Sequence, residues 1–322
     1  MAAKTALICG ISGQDGAYLA QLLLSKGYTV HGGSRDAQVT SFANLKRLGI
    51  DGAVSKESVT ITDFRSVLQT LRRIKPDEVY NLAGQSSVSL SFDQPVETLE
   101  SITLGTLNLL EAIRFIGEPI RFYSAGSGEC FGDTNAPADE ATAFRPRSPY
   151  AVAKAAAYWE VENYREAYSL FACTGLLFNH ESPLRHERFV TRKIASGAVR
   201  IAAGSREKLK LGNLNVTRDW GWAPEYVDAM WRMLQRDAPE SFVIATGESH
   251  TLEELANAAF AEVGLDAKDH IEVDKSLYRP ADISYSAGDP SRAGKLLGWK
   301  AETKMRGVVQ KMIRAELGTK PA

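Results

Sequence analysis

The sequence predicts an α/β fold, a doubly wound parallel sheet with a smaller C-terminal α/β substrate lobe. Three observations lead there. Short apolar runs alternate with helical periodicities over residues 1–180, the pattern of parallel strands joined by crossover helices. A glycine turn, GISGQDG, stands directly between the first such run and the first helix. With 322 residues, 44% apolar and 24% charged, the chain can bury a sheet covered on both faces and still build a second lobe. The expected division is a nucleotide-binding domain over residues 1–180, with later returns near 212–245. Residues 181–322 form mainly the substrate-binding lobe, interleaved with it.

Charge and cysteine usage narrow the function. A net charge of -1 gives no general attraction to a nucleic acid polymer or an acidic membrane, so any anion site must be local. Cys9, Cys130 and Cys173 sit in or beside apolar runs without CxxC or Cys/His spacing. Reduced, buried thiols in a cytoplasmic protein follow, with no metal site. The N-terminal run TALICG is too short for a signal segment, and no stretch reaches membrane-spanning length.

Taken in order, Thr5 to Cys9 is the first strand, and the helix-like AYLAQLLLSKG after the turn ends at Gly27, a C-terminal cap. Gly10, Gly13 and Gly16, spaced GxxGxxG, let a backbone approach a dinucleotide pyrophosphate at the helix N-terminus. Ser12, Gln14 and Asp15 belong to the same turn. TVHGG is the second strand. An acidic residue after it would suit an NAD ribose, whereas an arginine accommodates the 2′-phosphate of NADP. Ser34 stands where the acid would, and Arg35 follows, so NADP is the expected cofactor.

A polar loop (Ala37 to Lys56), a strand (Ser58 to Ile61) and an amphipathic helix (Asp63 to Ile74) come next. A strand from Glu78 to Leu82 then runs into small and polar residues. Leu82, Ala83 and Gln85 there fit a backbone pressed against a cofactor. Pro95 to Phe115 has helical periodicity and is read as one helix covering the sheet. The strand ending FYSAGSGECFG presents Ser127 and Glu129. The following helix, from Pro149 to Ala167, carries Tyr150 and Lys154 on one face. An ammonium so placed is expected to lower the phenol pKa from about 10 toward working pH, letting the tyrosine exchange a proton with a carbinol. Phe171 to Phe178 is a further buried strand. Helices are expected at Pro224 to Leu234, Thr251 to Val263, Ser291 to Leu297 and Thr303 to Leu317, with a frayed GTKPA end. Trp220 and Trp222 are read as packing residues.

These motifs resemble the extended short-chain dehydrogenase/reductases that modify nucleotide sugars, Rossmann-fold enzymes. The branch they look most like dehydrates GDP-sugars. The likeness runs nearly end to end, through GISGQDGAYLA, PDEVYNLAGQSSVSLSF, PRSPYAVAKAAAYWEVENYREAY, LLFNHESP, FVTRKI, LGNLNVTRDWGWAPEYV, RPADI and GDPSRAGKLLGWK. It implies a lyase with the catalytic set Ser127, Glu129, Tyr150 and Lys154. It extends the NADP contacts to Thr60, Ile61, His180 and Arg185, with Tyr150 and Lys154 also touching the cofactor. It places Ser86, Asn179, Val190, Lys193, Arg218 and Arg279 on the GDP-sugar. Arginine forks suit its diphosphate.

Glu129 is the informative member, because epimerase and reductase relatives usually lack an acid there. Elimination across C5 and C6 needs a base for the C5 proton and an acid for the departing hydroxyl. The implied substrate is GDP-mannose, with a GDP-heptose as the alternative, or else a related 4-keto reductase or epimerase activity. A redox-sensing regulator on this fold would characteristically lack the Tyr/Lys pair. The chain departs from the family at Asp36, where many members have a second arginine. It departs also in the loop that follows, and at Thr60, where an aspartate would contact adenine. The helices at Pro95–Phe115 and Pro149–Ala167 resemble the family's dimer bundle, so a homodimer or homotetramer is expected.

Overall fold

A computed structural model describes residues 3–318. Of the C-terminal GTKPA expected to fray, residues 319–322 lie outside the described residues. The chain opens with β1 (Thr5–Cys9), α1 (Gln14–Ser25), β2 (Thr29–Ser34), α2 (Ala43–Arg47), β3 (Ser55–Ser58), α3 (Phe64–Ile74) and β4 (Glu78–Asn81). It continues through α4 (Val88–Asp93), α5 (Pro95–Leu99), a π turn (Glu100–Leu104), α6 (Gly105–Ile116), β5 (Arg121–Ala125), α7 (Pro149–Tyr168) and β6 (Ala172–Leu177). The second half contains β7 (Asn179–Glu181), α8 (Val190–Ala202), β8 (Leu209–Leu211), β9 (Thr217–Trp222), α9 (Ala223–Leu234), β10 (Phe242–Ile244) and β11 (Ser249–Thr251). It closes with α10 (Leu252–Ala261), β12 (Ile271–Val273), α11 (Ser291–Leu297) and α12 (Met305–Glu316).

Seven strands form one parallel sheet in the order β10-β6-β5-β4-β1-β2-β3. The order reverses between β1 and β4, and in an open α/β sheet a ligand crevice opens beyond the strand ends at that switch point. β1 and β6 are buried along nearly their whole length, because helices cover both faces of the sheet. One core cluster lies under α1 and α9, and another under α3 and α6. A separate core, built from α8, α10, α12 and Trp220, supports two small sheets, β11-β9-β7 and β12-β8.

Several expectations need correction. The third strand is Ser55–Ser58, not Ser58–Ile61. Its residues are mostly exposed, and what fixes it is main-chain pairing with β2 at the sheet edge. Val59 and Ile61 are buried in the core just past the strand. The loop before it holds a helical turn at Ala43–Arg47 that seats Leu45 in the core. Pro95–Phe115 is not one regular helix: the π turn interrupts it. A Cβ on Gly105, directly after that turn, would meet Ile61 Cδ1 at 2.6 Å, so a close crossing is built there. The first helix begins at Gln14, inside the glycine turn, three residues earlier than its apolar periodicity suggests.

Candidate active site

The glycine turn closes because its residues carry no side chains. Gly10 has φ +88, and a Cβ on it would stand 2.7 Å from the Leu82 carbonyl carbon. A Cβ on Gly16 would lie 2.4 Å from the Gly10 carbonyl oxygen. The turn therefore presses the N-terminus of α1 against the ends of β1 and β4, leaving backbone N–H groups facing the crevice.

On the other side of the switch point, β5 ends at Ala125. Ser127 then caps a short 3-10 helix by accepting from the Glu129 N–H at 3.2 Å. That cap turns the Glu129 side chain toward the crevice. α7 starts with Ser148 as N-cap, accepting from the Ala151 N–H, and Pro149 in its first turn. This start places Tyr150 and Lys154 in the helix's opening turns, facing β5. Lys154 Nζ donates to the Ala125 carbonyl at 2.7 Å and lies 5.8 Å from the Tyr150 ring centre.

Burial governs both groups. It pushes the Tyr150 phenol well up, while the Ser127 side chain and the Arg185 charge act in the opposite direction. It pulls the Lys154 ammonium down to about 8. The expectation that Lys154 lowers the phenol is therefore not met: desolvation of the phenolate outweighs the nearby charges.

The 178–185 arm crosses the same crevice. His180 is buried; its Nε2 lies 2.8 Å from Asp15 Oδ2 and its Nδ1 lies 2.7 Å from the Phe178 carbonyl. Arg185 pairs with the buried Glu181 at 3.0 Å, donates to the His180 carbonyl and lies over the Phe189 ring. Asp36 turns into its own loop, accepting from the Gln38 and Val39 N–H groups. Arg35 is left highly exposed at the crevice rim, with Glu97 of α5 3.8 Å away. Ser34 and Thr40 share a hydroxyl–hydroxyl hydrogen bond of 2.8 Å beside it.

On the far wall, Arg218 is buried and bonds the Thr217 and Ile283 carbonyls. It shares Asp282 with Arg279, at 3.3 and 3.4 Å. Burial pulls its guanidinium below the ordinary value, while Glu129 and Asp282 hold it up. Lys193, in the first turn of α8, donates to the Lys210 carbonyl.

All residues singled out in the sequence for catalysis, cofactor or substrate line one cleft of about 1420 Å³. Sequence reasoning missed Thr40 to Asn44, Ser87 to Leu90, Glu97, Arg188 and Leu277, which also line it. The motif PDEVYNLAGQSSVSLSF carried a signal for Ser87 to Leu90, and the RHER run preceding FVTRKI carried one for Arg188. The others come from loops and one-turn helices without periodicity. Trp220 both packs the second core and reaches the cleft, while Trp222 sits beneath Lys311. Among the described residues, no three His, Cys, Asp or Glu side chains cluster as a metal site, and no helix is long and apolar enough to cross a membrane.

A family model described as GDP-mannose 4,6 dehydratase matches residues 7–312. The chain is 47% identical to GDP-mannose 4,6 dehydratase 1 of Arabidopsis thaliana, over 98% of this chain and 90% of the relative. It is 41% identical to the human GDP-mannose 4,6 dehydratase, over 98% and 91%. Among solved structures, UDP-glucose 4-epimerase of Thermus thermophilus in complex with NAD superposes with a TM-score of 0.85 at 25% identity, covering 98% of this chain and 99% of that one. RMD from Pseudomonas aeruginosa complexed with NADPH superposes at 0.80 with 23% identity, covering 98% and 99%, and shares the fold.

Proposed function

The chain belongs to the GDP-mannose 4,6-dehydratase family, and on that premise we propose how its own residues remove water from GDP-mannose with NADP as hydride carrier. The enzyme is a lyase of the short-chain dehydrogenase/reductase class. The observation that supports the assignment of roles is the meeting of Glu129 with the Tyr150–Lys154 pair in one cleft, opposite the buried Arg218.

The glycine turn fits a dinucleotide, since the close packing that Gly10 and Gly16 allow against Leu82 and the Gly10 carbonyl brings the N-terminus of α1 to the cleft, where its free N–H groups suit a pyrophosphate. Gly13, Ser12, Gln14 and Asp15 complete that wall; Leu82, Ala83, Gln85, Thr60 and Ile61 line the cleft beside it. Arg35, with Asp36 folded away and the Ser34–Thr40 hydroxyls beside it, is the group that would pair with a 2′-phosphate. A bound oxidised nicotinamide supplies positive charge and a place for the hydride, which leaves C4 and returns to C6, so the cycle consumes no reductant.

Tyr150 takes the C4 hydroxyl proton, with Ser127 hydrogen-bonding the oxygen as it becomes a carbonyl. The buried phenol is protonated at rest, so it acts as a base only when cationic charge gathers beside it. Lys154 and Arg185 contribute part of that charge. The C4 ketone acidifies C5. Glu129 removes the C5 proton and gives a proton to the C6 hydroxyl, which departs as water. Hydride addition at C6 and protonation of C5, balanced by release of the C4 hydroxyl proton that Tyr150 took, would leave a 4-keto-6-deoxy sugar. Arg218, Arg279 and Lys193 hold the diphosphate, and Asn179, Val190 and Ser86 border the sugar nucleotide.

The chain is expected to work as a homo-oligomer. Val96, Leu104, Val152 and Trp159 expose an apolar face along α5, the π turn and α7, of the kind that a second copy covers.

The test is incubation with GDP-mannose and, separately, a GDP-heptose, reading loss of one water by mass spectrometry. Glu129→Gln should slow dehydration about 1,000-fold with NADP affinity unchanged. Full turnover by that variant refutes the role of Glu129. Net consumption of NADPH would mark a reductase instead.

A further inference from the structure

The cofactor turn and the substrate arm meet nowhere along the chain: His180 and Asp15 are 165 positions apart. They meet through side chains. Both ring nitrogens of His180 face acceptors, Asp15 Oδ2 at 2.8 Å and the Phe178 carbonyl at 2.7 Å. A neutral imidazole has one N–H and can satisfy only one of them; the imidazolium donates to both. The ring is fixed from behind by Tyr226 of α9, stacked at 4.5 Å with an interplanar angle of 20°. Gln14 doubles the link. Its Nε2 donates to Asp15 Oδ1 and to the His180 carbonyl, and its Oε1 accepts from Ser182.

We propose that Asp15 and His180 are positioning residues. As a carboxylate–imidazolium pair, the imidazole buried and the carboxylate partly so, they clamp the arm running from Asn179 to Arg185 onto the glycine turn, so that cofactor and sugar nucleotide enter a site already assembled. A buried ion pair is a weak source of stability, because desolvation offsets its attraction. It is a strong geometric constraint, because opening it strands two charges. The arm it holds leads directly to Arg188, Val190, Thr191 and Lys193, which line the cleft, so a displaced arm would move the substrate wall as one piece.

The clamp has a defined pH window. Burial works against the His180 cation, but Asp15 and the Phe178 carbonyl outweigh it and hold its pKa above the ordinary value. Burial likewise works against the Asp15 charge, but His180 and Gln14 outweigh it and hold its pKa below the ordinary value. The charged groups facing the pair are Arg185 from the arm and Lys154 from α7; the titratable phenols of Tyr18 from α1, Tyr123 from β5 and Tyr226 from α9 face it as well. A raised histidine pKa means that the contribution is complete at low pH and is lost as pH rises through the folded-state value. A lowered aspartate pKa means that it is lost as pH falls through its own value.

This inference rests on the reading of the cleft as a dinucleotide and GDP-sugar site. Its test therefore reads binding of each ligand separately from turnover. NADP and GDP-mannose dissociation constants are measured for the natural chain, Asp15→Asn, His180→Gln and the double variant between pH 6 and 9.5. Each single variant should weaken both ligands about ten-fold, and the double variant no further, since the pair acts as a unit. The alkaline loss of NADP affinity that comes from His180 should shift to lower pH in Asp15→Asn and vanish in His180→Gln, leaving only the loss from Lys154 near 8.

Multiplicative losses in the double variant, or an unchanged alkaline limb in His180→Gln, overturn the clamp. Should His180→Gln not fold, Asp15→Asn, which keeps an oxygen to accept from Nε2, carries the pH test alone; no shift there overturns the clamp. If the natural chain binds both ligands but releases no water, the dehydratase reading fails while the clamp is still judged on binding.

Discussion

The nucleotide half and the substrate half of this molecule reach the same cleft by opposite means. In the nucleotide half, main-chain ladders set the positions: seven parallel strands, and a glycine turn whose path is allowed by missing side chains. In the substrate half the strands, β9 apart, are three residues long, and carboxylates accepting from main-chain N–H groups hold the loops. Asp219 accepts from the Thr246 and Gly247 N–H groups. Asp133 accepts from those of Ser284 and Tyr285, at 2.6 and 3.0 Å. Glu225 accepts from those of Glu302 and Thr303. One half is shaped by what is absent from the backbone, the other by charge placed against it.

If that contrast is right, an added methyl group should hurt the first half most and a deleted carboxylate the second. The largest effect should come from Gly16→Val, whose Cβ has the Gly10 carbonyl 2.4 Å away. NADP affinity should fall about 100-fold, or about 2.7 kcal/mol, measured by fluorescence titration. A near-normal affinity breaks the contrast on the nucleotide side.

Asp219→Ala should come next. It leaves the buried Thr246 N–H and the Gly247 N–H without their acceptor, costing about 2 kcal/mol, and should lower Tm by about 5 °C. GDP-mannose binding should suffer more than NADP binding. The pH dependence has a distinct sign. Burial raises the Asp219 carboxyl to about 6, so the folded state holds this proton more tightly than the unfolded chain. Its contribution to stability falls as pH rises from about 4 through about 6. That local slope should be missing from the unfolding curves of Asp219→Ala.

Arg279→Lys should raise the KM for GDP-mannose about ten-fold, because a point charge replaces a fork, while leaving kcat nearly unchanged. The smallest effect is expected at Thr251. Its side chain and Glu254 form a reciprocal capping box at the start of α10. Thr251→Ala should cost about 1 kcal/mol and leave turnover intact; lost turnover would mean that α10 does more than support the lobe.

The same contrast explains what could be read from residues alone. The nucleotide half was legible because long strands and helices impose periods, and because Gly10, Gly13 and Gly16 have a steric reason to be glycine. Its errors fell where main-chain pairing overrides side-chain pattern, as at β3, where the exposed SKES forms the strand and the apolar Val59 and Ile61 do not. In the substrate half β7, β8, β11 and β12 were largely invisible, since three-residue strands carry no period. There the motifs LLFNHESP, FVTRKI, TRDWG and RPADI, not periodicity, brought Asn179, Lys193, Arg218 and Arg279 into view.

By itself the sequence determined the fold class, the family and a set of candidate side chains that all line the cleft, because glycine spacing, Tyr-x-x-x-Lys spacing and motif order are properties of the chain. Only the tertiary structure decided the electrical state of those side chains. Burial raises the Tyr150 phenol that a neighbouring lysine was expected to lower. Asp36 turns away and leaves Arg35 at the rim with Glu97 as its neighbour. Asp15 and His180 become an ion pair across the cleft. Each outcome depends on solvent exclusion and on partners far away in sequence, and neither quantity is written in local order.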